Sequence, residues 1–292
     1  MWTVTCQPQS FHRKVPMKRS LLATSLAALL APALFPIASA QAQPNLAEAQ
    51  VNALEGLAGP QPGFRRSGAK GICASGHFVG NTAGRALTTA SAFSGAKVPV
   101  VARFSVGGGS PKASDKSKSV RGLALTFQLP GNETWQMANI SAPVFFVARP
   151  EQFAPFVQAR TADPATGKPD PEKLKAFNAA NPETLRQSAY LAQAPVPASY
   201  GAVNYWGVNA FEFVNAKGES RFARWQFVPE AGTLGLTEDQ LKAMPDDFLA
   251  GELRQRVGAK PVVFDMKLQL AEAGDNLTDP TVAWPEGRQL VP

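Results

Sequence analysis

The chain has 292 residues, with 29 Lys or Arg against 22 Asp or Glu, and a formal net charge of +7. Four of these cations lie in the first 40 residues, which contain no acidic residue (Arg13, Lys14, Lys18 and Arg19). The remainder therefore carries 25 basic and 22 acidic residues, a net charge of +3. That is the charge of an ordinary protein surface, so the charge balance gives no evidence for nucleic-acid binding, and we expect none.

The first 42 residues have the pattern of a leader. Met17 precedes a basic pair, an apolar run over residues 21–37 and Ala-x-Ala cleavage sites. This pattern predicts translation from Met17 rather than from the first methionine, export by a cleaved signal peptide, and a periplasmic location without membrane attachment. A transmembrane anchor is the alternative, and Pro32 and Pro36 count against it because they interrupt a run barely long enough to span a bilayer.

The mature chain, residues 43–292, begins with a helical pattern. Residues 44–58 place apolar side chains on one helical stripe, and Gly59 is the expected stop. Short apolar runs separated by Gly, Pro and Ser then predict buried strands at Val98–Phe104, Gly122–Leu129 and Pro143–Val147.

The second half alternates helices and strands. The patterns predict, in order, helices at Glu151–Arg160 and Pro171–Leu191, a hairpin of Asn209–Asn215 with Arg221–Val228, a helical segment Thr237–Ala250 broken at Pro245, and a last strand at Pro261–Ala271. This order indicates an α+β protein built on an antiparallel barrel, long enough to enclose a ligand.

Cys73 is the one cysteine that remains after the leader, so no intrachain disulfide is expected. Its neighbours are small and apolar, which favours a buried thiol over a nucleophile.

Six motifs follow one another along the chain in a fixed order. They are Arg65–Gly71, Val101–Ser105, Arg121–Leu123, Ala142–Phe146, Tyr205–Asn209 and Asp279–Pro285. Together they resemble the haem catalases and their smaller periplasmic relatives, the catalase-related peroxidases, from about Gly63 to the last residue. The resemblance implies an antiparallel β-barrel of the haem catalase type with helices packed around it. It also implies haem b as the cofactor, wrapped by the barrel, and peroxide together with a reducing substrate as the small-molecule partners.

The resemblance assigns two arginines to the haem propionates. Arg65 and Arg103 stand at the positions that bind these carboxylates in the family, and a guanidinium fork suits a carboxylate. An exposed cation is the alternative for Arg65. An arginine on a buried strand needs a partner, so for Arg103 a carboxylate such as Asp115 is the alternative.

Three further positions match haem-pocket residues of the family. Phe145 and Phe153 match aromatic side chains that lie against the porphyrin, and plain hydrophobic core is the alternative. Asn139 is the nearest match to the distal asparagine that hydrogen-bonds peroxide, which gives it a catalytic assignment. A turn asparagine is the alternative there.

The chain departs from the family where the chemistry is most demanding. Gly68 stands at the position of the distal histidine, and glycine cannot transfer a proton. His77, nine residues further on, would face the opposite side of a continuous strand. Catalase iron is held by a tyrosine, whereas Tyr190, Tyr200 and Tyr205 match no ligand motif. We therefore expect a chain truncated before the family's C-terminal segment.

Three functional interpretations remain at this point. The first is a periplasmic haem peroxidase that reduces hydrogen peroxide or organic peroxides with an electron donor. The second is a non-catalytic barrel protein that holds haem or another apolar ligand, which Gly68 and the missing tyrosine favour. The third is a degenerate relative that neither binds nor catalyses.

Overall fold

An eight-stranded antiparallel sheet is the centre of the fold. A computed structural model of the chain describes residues 45–292, so the predicted leader lies outside the described residues. The strands are β1 (Gly71–Val79), β2 (Lys97–Val106), β3 (Arg121–Gln128), β4 (Thr134–Ile140), β5 (Tyr205–Val214), β6 (Ser220–Pro229), β7 (Phe264–Leu270) and β8 (Leu290–Val291). Each strand pairs with the next along the chain, and the sheet curls into a half-barrel. The predicted α+β architecture is confirmed.

Helices precede the sheet and fill its long connections. They are α1 (Leu46–Ala58), α2 (Thr82–Leu87), α3 (Phe153–Gln158), α4 (Pro171–Ala180), α5 (Arg186–Gln193), α6 (Glu238–Ala243) and α7 (Phe248–Ala259). None of the helices over residues 45–292 combines the length and apolar character needed to cross a bilayer.

Several element boundaries differ from the sequence patterns. The predicted strand at Pro143–Val147 is wrong, because this segment forms turns in which the Phe145 N–H donates to the Pro280 carbonyl. The continuous helix predicted for Pro171–Leu191 is interrupted at Pro182, which has no N–H to donate. The hairpin and the break near Pro245 are confirmed.

The concave side of the sheet is filled by its own side chains. Alternation along β2 and β3 points Phe104, Leu123 and Phe127 inward, where each is at most 3% exposed. Trp225 and Leu268 continue the same buried cluster from β6 and β7. The expectation that the barrel wraps around a porphyrin is therefore wrong, and any flat ligand has to lie outside the barrel.

Candidate functional site

The convex side of β1–β4 carries two rows of residues, most of which have small side chains. Register pairing aligns Gly71, Ser105, Gly122 and Ile140 in one row, and Cys73, Arg103, Ala124 and Ala138 in the next. These eight residues are called the outer face below. Because alternate residues of each strand fill the core, the outer-face side chains point away from it. Arg103 is the one charged side chain among the eight.

Arg103 is half-buried on the outer face without an acidic partner. Its Nη2 donates to the Ala69 carbonyl at 3.3 Å, and no ion pair within residues 45–292 includes it. Burial lowers the pKa of Arg103, and the nearby Arg65 cation lowers it further. Arg65 is thus near enough to Arg103 to act on it electrostatically, and no ion pair within residues 45–292 includes either arginine.

Glycines make room for this arrangement. A Cβ at Gly71 would collide with the backbone carbonyl of Phe104 and would lie 2.9 Å from Cζ of Arg103, and one at Gly122 would lie 2.6 Å from Oγ of Ser105. Gly68 has φ of 59° in a turn before β1, and a Cβ there would lie 3.0 Å from the same Oγ. Side chains at these positions would displace the arginine and serine that the outer face presents.

Asp115 is not the partner of Arg103, so that alternative is wrong. Its Oδ1 lies 2.8 Å from Nζ of Lys70, and its Oδ2 accepts from the Leu249 N–H at 2.8 Å, near the start of α7. Asp115 is fully buried there. Because Lys70 immediately precedes β1, this ion pair anchors the turn that carries Arg65 and Gly68.

The two predicted aromatic residues belong to one cluster. Phe145 and Phe153 both contact Phe146, with ring centroids 4.3 and 5.2 Å apart, and Phe156 lies 4.6 Å from it. All four rings are half-buried. The segment that carries Phe145 directly follows β4, where the Ser141 N–H donates to the Arg121 carbonyl.

Asn139 lies on the other side of the sheet from Arg103. Its side chain is 3% exposed, donates to the Leu123 carbonyl at 2.9 Å and accepts from Nε1 of Trp225 at 2.7 Å. These bonds tie β3, β4 and β6 together inside the core. A contact between Asn139 and peroxide stays a prediction, and the geometry gives this residue a structural task.

Cys73 and His77 do not lie where the sequence predicts them. Cys73 is exposed rather than buried, because its position in β1 points to the convex side. The prediction that His77 faces the side opposite residue 68 assumed one continuous strand. That assumption is wrong, because Gly68 lies in a turn before β1 begins. His77 shares the convex side with Cys73, but it lies roughly 20 Å along β1 from Gly71 at 3.3 Å per residue.

Sequence reasoning missed Ser105 as a site residue. Its hydroxyl is the polar group nearest to the side-chain position of Gly68. The signal was present in the sequence, because Ser105 is two residues from Arg103 and a strand places such residues on one face. Arg121, by contrast, is fully buried and donates to the carbonyls of Asp115, Ser117 and Ser119.

The chain is similar to known proteins over most of the described residues. The sequence profile described as Catalase matches residues 64–289. A catalase-related peroxidase of Synechococcus elongatus is 46% identical over 241 residues, which cover 82% of this chain and 71% of that protein. A catalase-related peroxidase of Mycolicibacterium paratuberculosis is 34% identical over 242 residues, which cover 82% of this chain and 76% of that protein.

Solved structures show the same fold. A bacterial catalase superimposes with a TM-score of 0.69 at 22% identity, covering 78% of this chain and 47% of that one. Catalase A from Saccharomyces cerevisiae gives a TM-score of 0.69 at 21% identity, covering 78% of this chain and 50% of that one. The chain thus spans about half the length of these solved catalases.

Proposed function

The chain belongs to the catalase family, and we propose that it is a haem-dependent peroxidase that reduces hydrogen peroxide or organic peroxides with an electron donor in the periplasm. The observation that carries the proposal is the pair Arg65 and Arg103: Arg103 donates to one carbonyl, that of Ala69, and no described carboxylate forms an ion pair with either arginine. The names of the two peroxidase relatives support the reaction class. The leader pattern supports the location.

The residues present fit the periphery of a haem. Guanidinium groups bind carboxylates in a fork, so Arg65 and Arg103 would hold the two propionates. The glycines and alanines of the outer face leave room for a flat ring to approach the backbone. The half-buried cluster of Phe145, Phe146 and Phe153 offers faces and edges against which a ring can pack.

A haem, when bound, supplies the iron that reacts with peroxide. The chain's own contribution is to hold and orient it through the two arginines, and to place Ser105 Oγ beside Gly68. A serine hydroxyl both donates and accepts hydrogen bonds, so it can orient a peroxide. It does not titrate near neutral pH, so it cannot replace a histidine as the base that moves a proton.

A second function is favoured by Gly68. Because glycine has no side chain, the position that the resemblance assigns to the family's proton-transferring histidine has no group that can move a proton. A protein that binds haem without turnover is the second candidate.

Adding hemin to the purified mature chain distinguishes these functions. We expect saturable uptake, seen in the visible spectrum, and peroxide consumption above that of an equal amount of free hemin. Uptake without added turnover supports the second candidate, and no uptake contradicts both. Arg221→Leu, which removes an exposed arginine on β6, is the matched control for Arg103→Leu and should bind hemin as the unchanged chain does.

A further inference from the structure

We infer that this chain recognises a tetrapyrrole by its carboxylates and flat ring and not by its central metal, an inference that rests on the proposed function. The described residues supply the contacts for the periphery of the ligand, and they offer no side chain suited to the metal. Each class of metal-binding side chain can be located in turn.

The tyrosines lie away from the outer face. Tyr200 and Tyr205 are 1% and 0% exposed in the core, and the Tyr205 hydroxyl donates to the Tyr200 carbonyl at 2.9 Å. Tyr190 packs against Trp206 at 6.3 Å, on the half of the sheet that begins with β5. An oxygen ligand from tyrosine is therefore unavailable to a ring on the outer face.

The sulfur and imidazole donors are also badly placed. Met137 and Met266 point into the core, where they are 4% and 8% exposed, and the partly buried Met244 packs against the same core cluster. Cys73 stands directly opposite Arg103 in the strand pairing, so its thiol lies beside the arginine that would bind a carboxylate, at the rim of the ligand. His77 lies outside both rows of the outer face, about 13 Å along β1 from Cys73, the nearest outer-face residue of that strand, at about 3.3 Å per residue.

The groups that suit the periphery are close together by contrast. Arg65 acts electrostatically on Arg103, and neither arginine forms an ion pair with a carboxylate within residues 45–292. Gly71 and Gly122 are kept free of side chains that would collide with Arg103 and Ser105. Affinity therefore comes from charge pairing and ring burial, which are the same for every metal in the ring.

The test compares three ligands that differ only in the centre: hemin, zinc protoporphyrin IX and metal-free protoporphyrin IX. Quenching of tryptophan fluorescence gives the dissociation constant of each with the full chain. We expect the three constants to agree within about threefold, since a tenfold difference would correspond to about 1.4 kcal/mol of metal-specific binding. A preference of tenfold or more for hemin overturns the inference.

Two variants make the test independent of overall affinity. Cys73→Ser should change the affinities for hemin and for metal-free protoporphyrin IX by the same factor, and His77→Gln should leave both unchanged, with folding checked by circular dichroism. A loss of hemin affinity alone in either variant identifies a metal ligand and overturns the inference. If hemin alone binds, the cofactor proposal survives and this inference fails, whereas if no tetrapyrrole binds a folded chain, both fail.

Discussion

Arg224 and Arg103 both project from the convex side of the sheet, one from each half, yet their surroundings are opposite. Arg224 donates to the carbonyls of Val282, Asn276 and Asp279 at 2.7, 3.4 and 3.2 Å, and it lies over the Trp284 ring at 4.5 Å. Arg103 donates to one carbonyl, that of Ala69. A cation with its donors engaged by the chain holds the fold together, and a cation with donors to spare is available to a ligand.

The charges around the two arginines differ in the same way. Burial lowers the pKa of Arg224, while Asp279 and Asp275 act to raise it. For Arg103 the largest effect on the pKa after burial comes from a second cation, Arg65, which lowers the pKa further. The fold therefore neutralises one arginine and leaves the other for an anion.

The largest effect we expect comes from Arg224→Met. It would leave three carbonyls without their donor, and a buried polar group left unpaired costs about 1–3 kcal/mol, so the free energy of unfolding should fall by about 3–5 kcal/mol. Urea unfolding followed by circular dichroism measures it. Arg103→Met is the matched control and should change stability by less than about 1 kcal/mol. Equal losses in the two variants would erase the distinction between them.

Asp115→Asn should have the next largest effect. The change leaves Lys70, whose side chain is 17% exposed, without its carboxylate, and weakens the contact with the Leu249 N–H near the start of α7. We expect a loss of about 2–3 kcal/mol in the free energy of unfolding, below the range for fully buried pairs.

Asp246→Asn provides the control for that measurement. Its side chain is 75% exposed and lies 4.0 Å from Nζ of Lys116, and its Oδ1 accepts a hydrogen bond from Oγ of Ser114 at 2.6 Å that an asparagine oxygen can also accept. We therefore expect a change below about 1 kcal/mol. If Asp115→Asn is equally mild, the buried ion pair does not anchor the turn that carries Arg65.

Restoring a histidine should not restore the family's chemistry. Gly68 has φ of 59°, and a left-handed conformation costs other residues about 1–2 kcal/mol. Gly68→His should therefore lose about that much stability and consume peroxide no faster than the unchanged chain. Gly68→Ala separates the backbone cost from the effect of the imidazole. A stable Gly68→His variant with faster turnover would contradict this reading of the turn.

Alkaline pH tests how well the core is sealed. Burial raises the pKa of Tyr200 and of Tyr205, so the folded chain keeps protons that unfolded tyrosines lose near pH 10. The unfolded state then binds fewer protons, and stability falls as pH rises above 10 by about 1.4 kcal/mol per pH unit for each such tyrosine. Tyr200→Phe should reduce the slope by one such step, and an unchanged slope would mean that its hydroxyl already meets water.

Much of the fold could be predicted from the sequence where apolar periodicity was strong. The hairpin of β5 and β6 and the strand β3 follow from alternating or continuous apolar runs. β1 and β4 gave no such signal, because their convex positions hold small or polar residues such as Cys73, Ser75 and Gln136. The feature that makes these strands hard to recognise is the one that forms the outer face.

The site was predicted less completely than the fold. Arg65 and Arg103 could be paired from the motifs, but the side of the sheet that Arg103 occupies depends on which alternate residues of β2 fill the core. For Asn139 the motif match did not fix the side of the sheet. A one-residue change of register moves a side chain from the convex side to the core, and Asn139 lies in the core. The left-handed turn at Gly68 could not be predicted either, and without it the orientation of His77 relative to residue 68 was derived from a continuous strand that does not exist there.

The central claim is that Arg103 binds a ligand carboxylate on the outer face, and a two-by-two binding measurement tests it most directly. Protoporphyrin IX and its dimethyl ester are each titrated against the unchanged chain and against Arg103→Leu. A charge-assisted hydrogen bond contributes about 1.5–3 kcal/mol, so esterification should weaken binding to the unchanged chain by about 10- to 100-fold. The same esterification should weaken binding to Arg103→Leu less, by the part of the penalty that Arg103 contributes, because Arg65 still binds one propionate in that variant. An equal penalty in both proteins would show that Arg103 does not contact the carboxylate and would contradict the account.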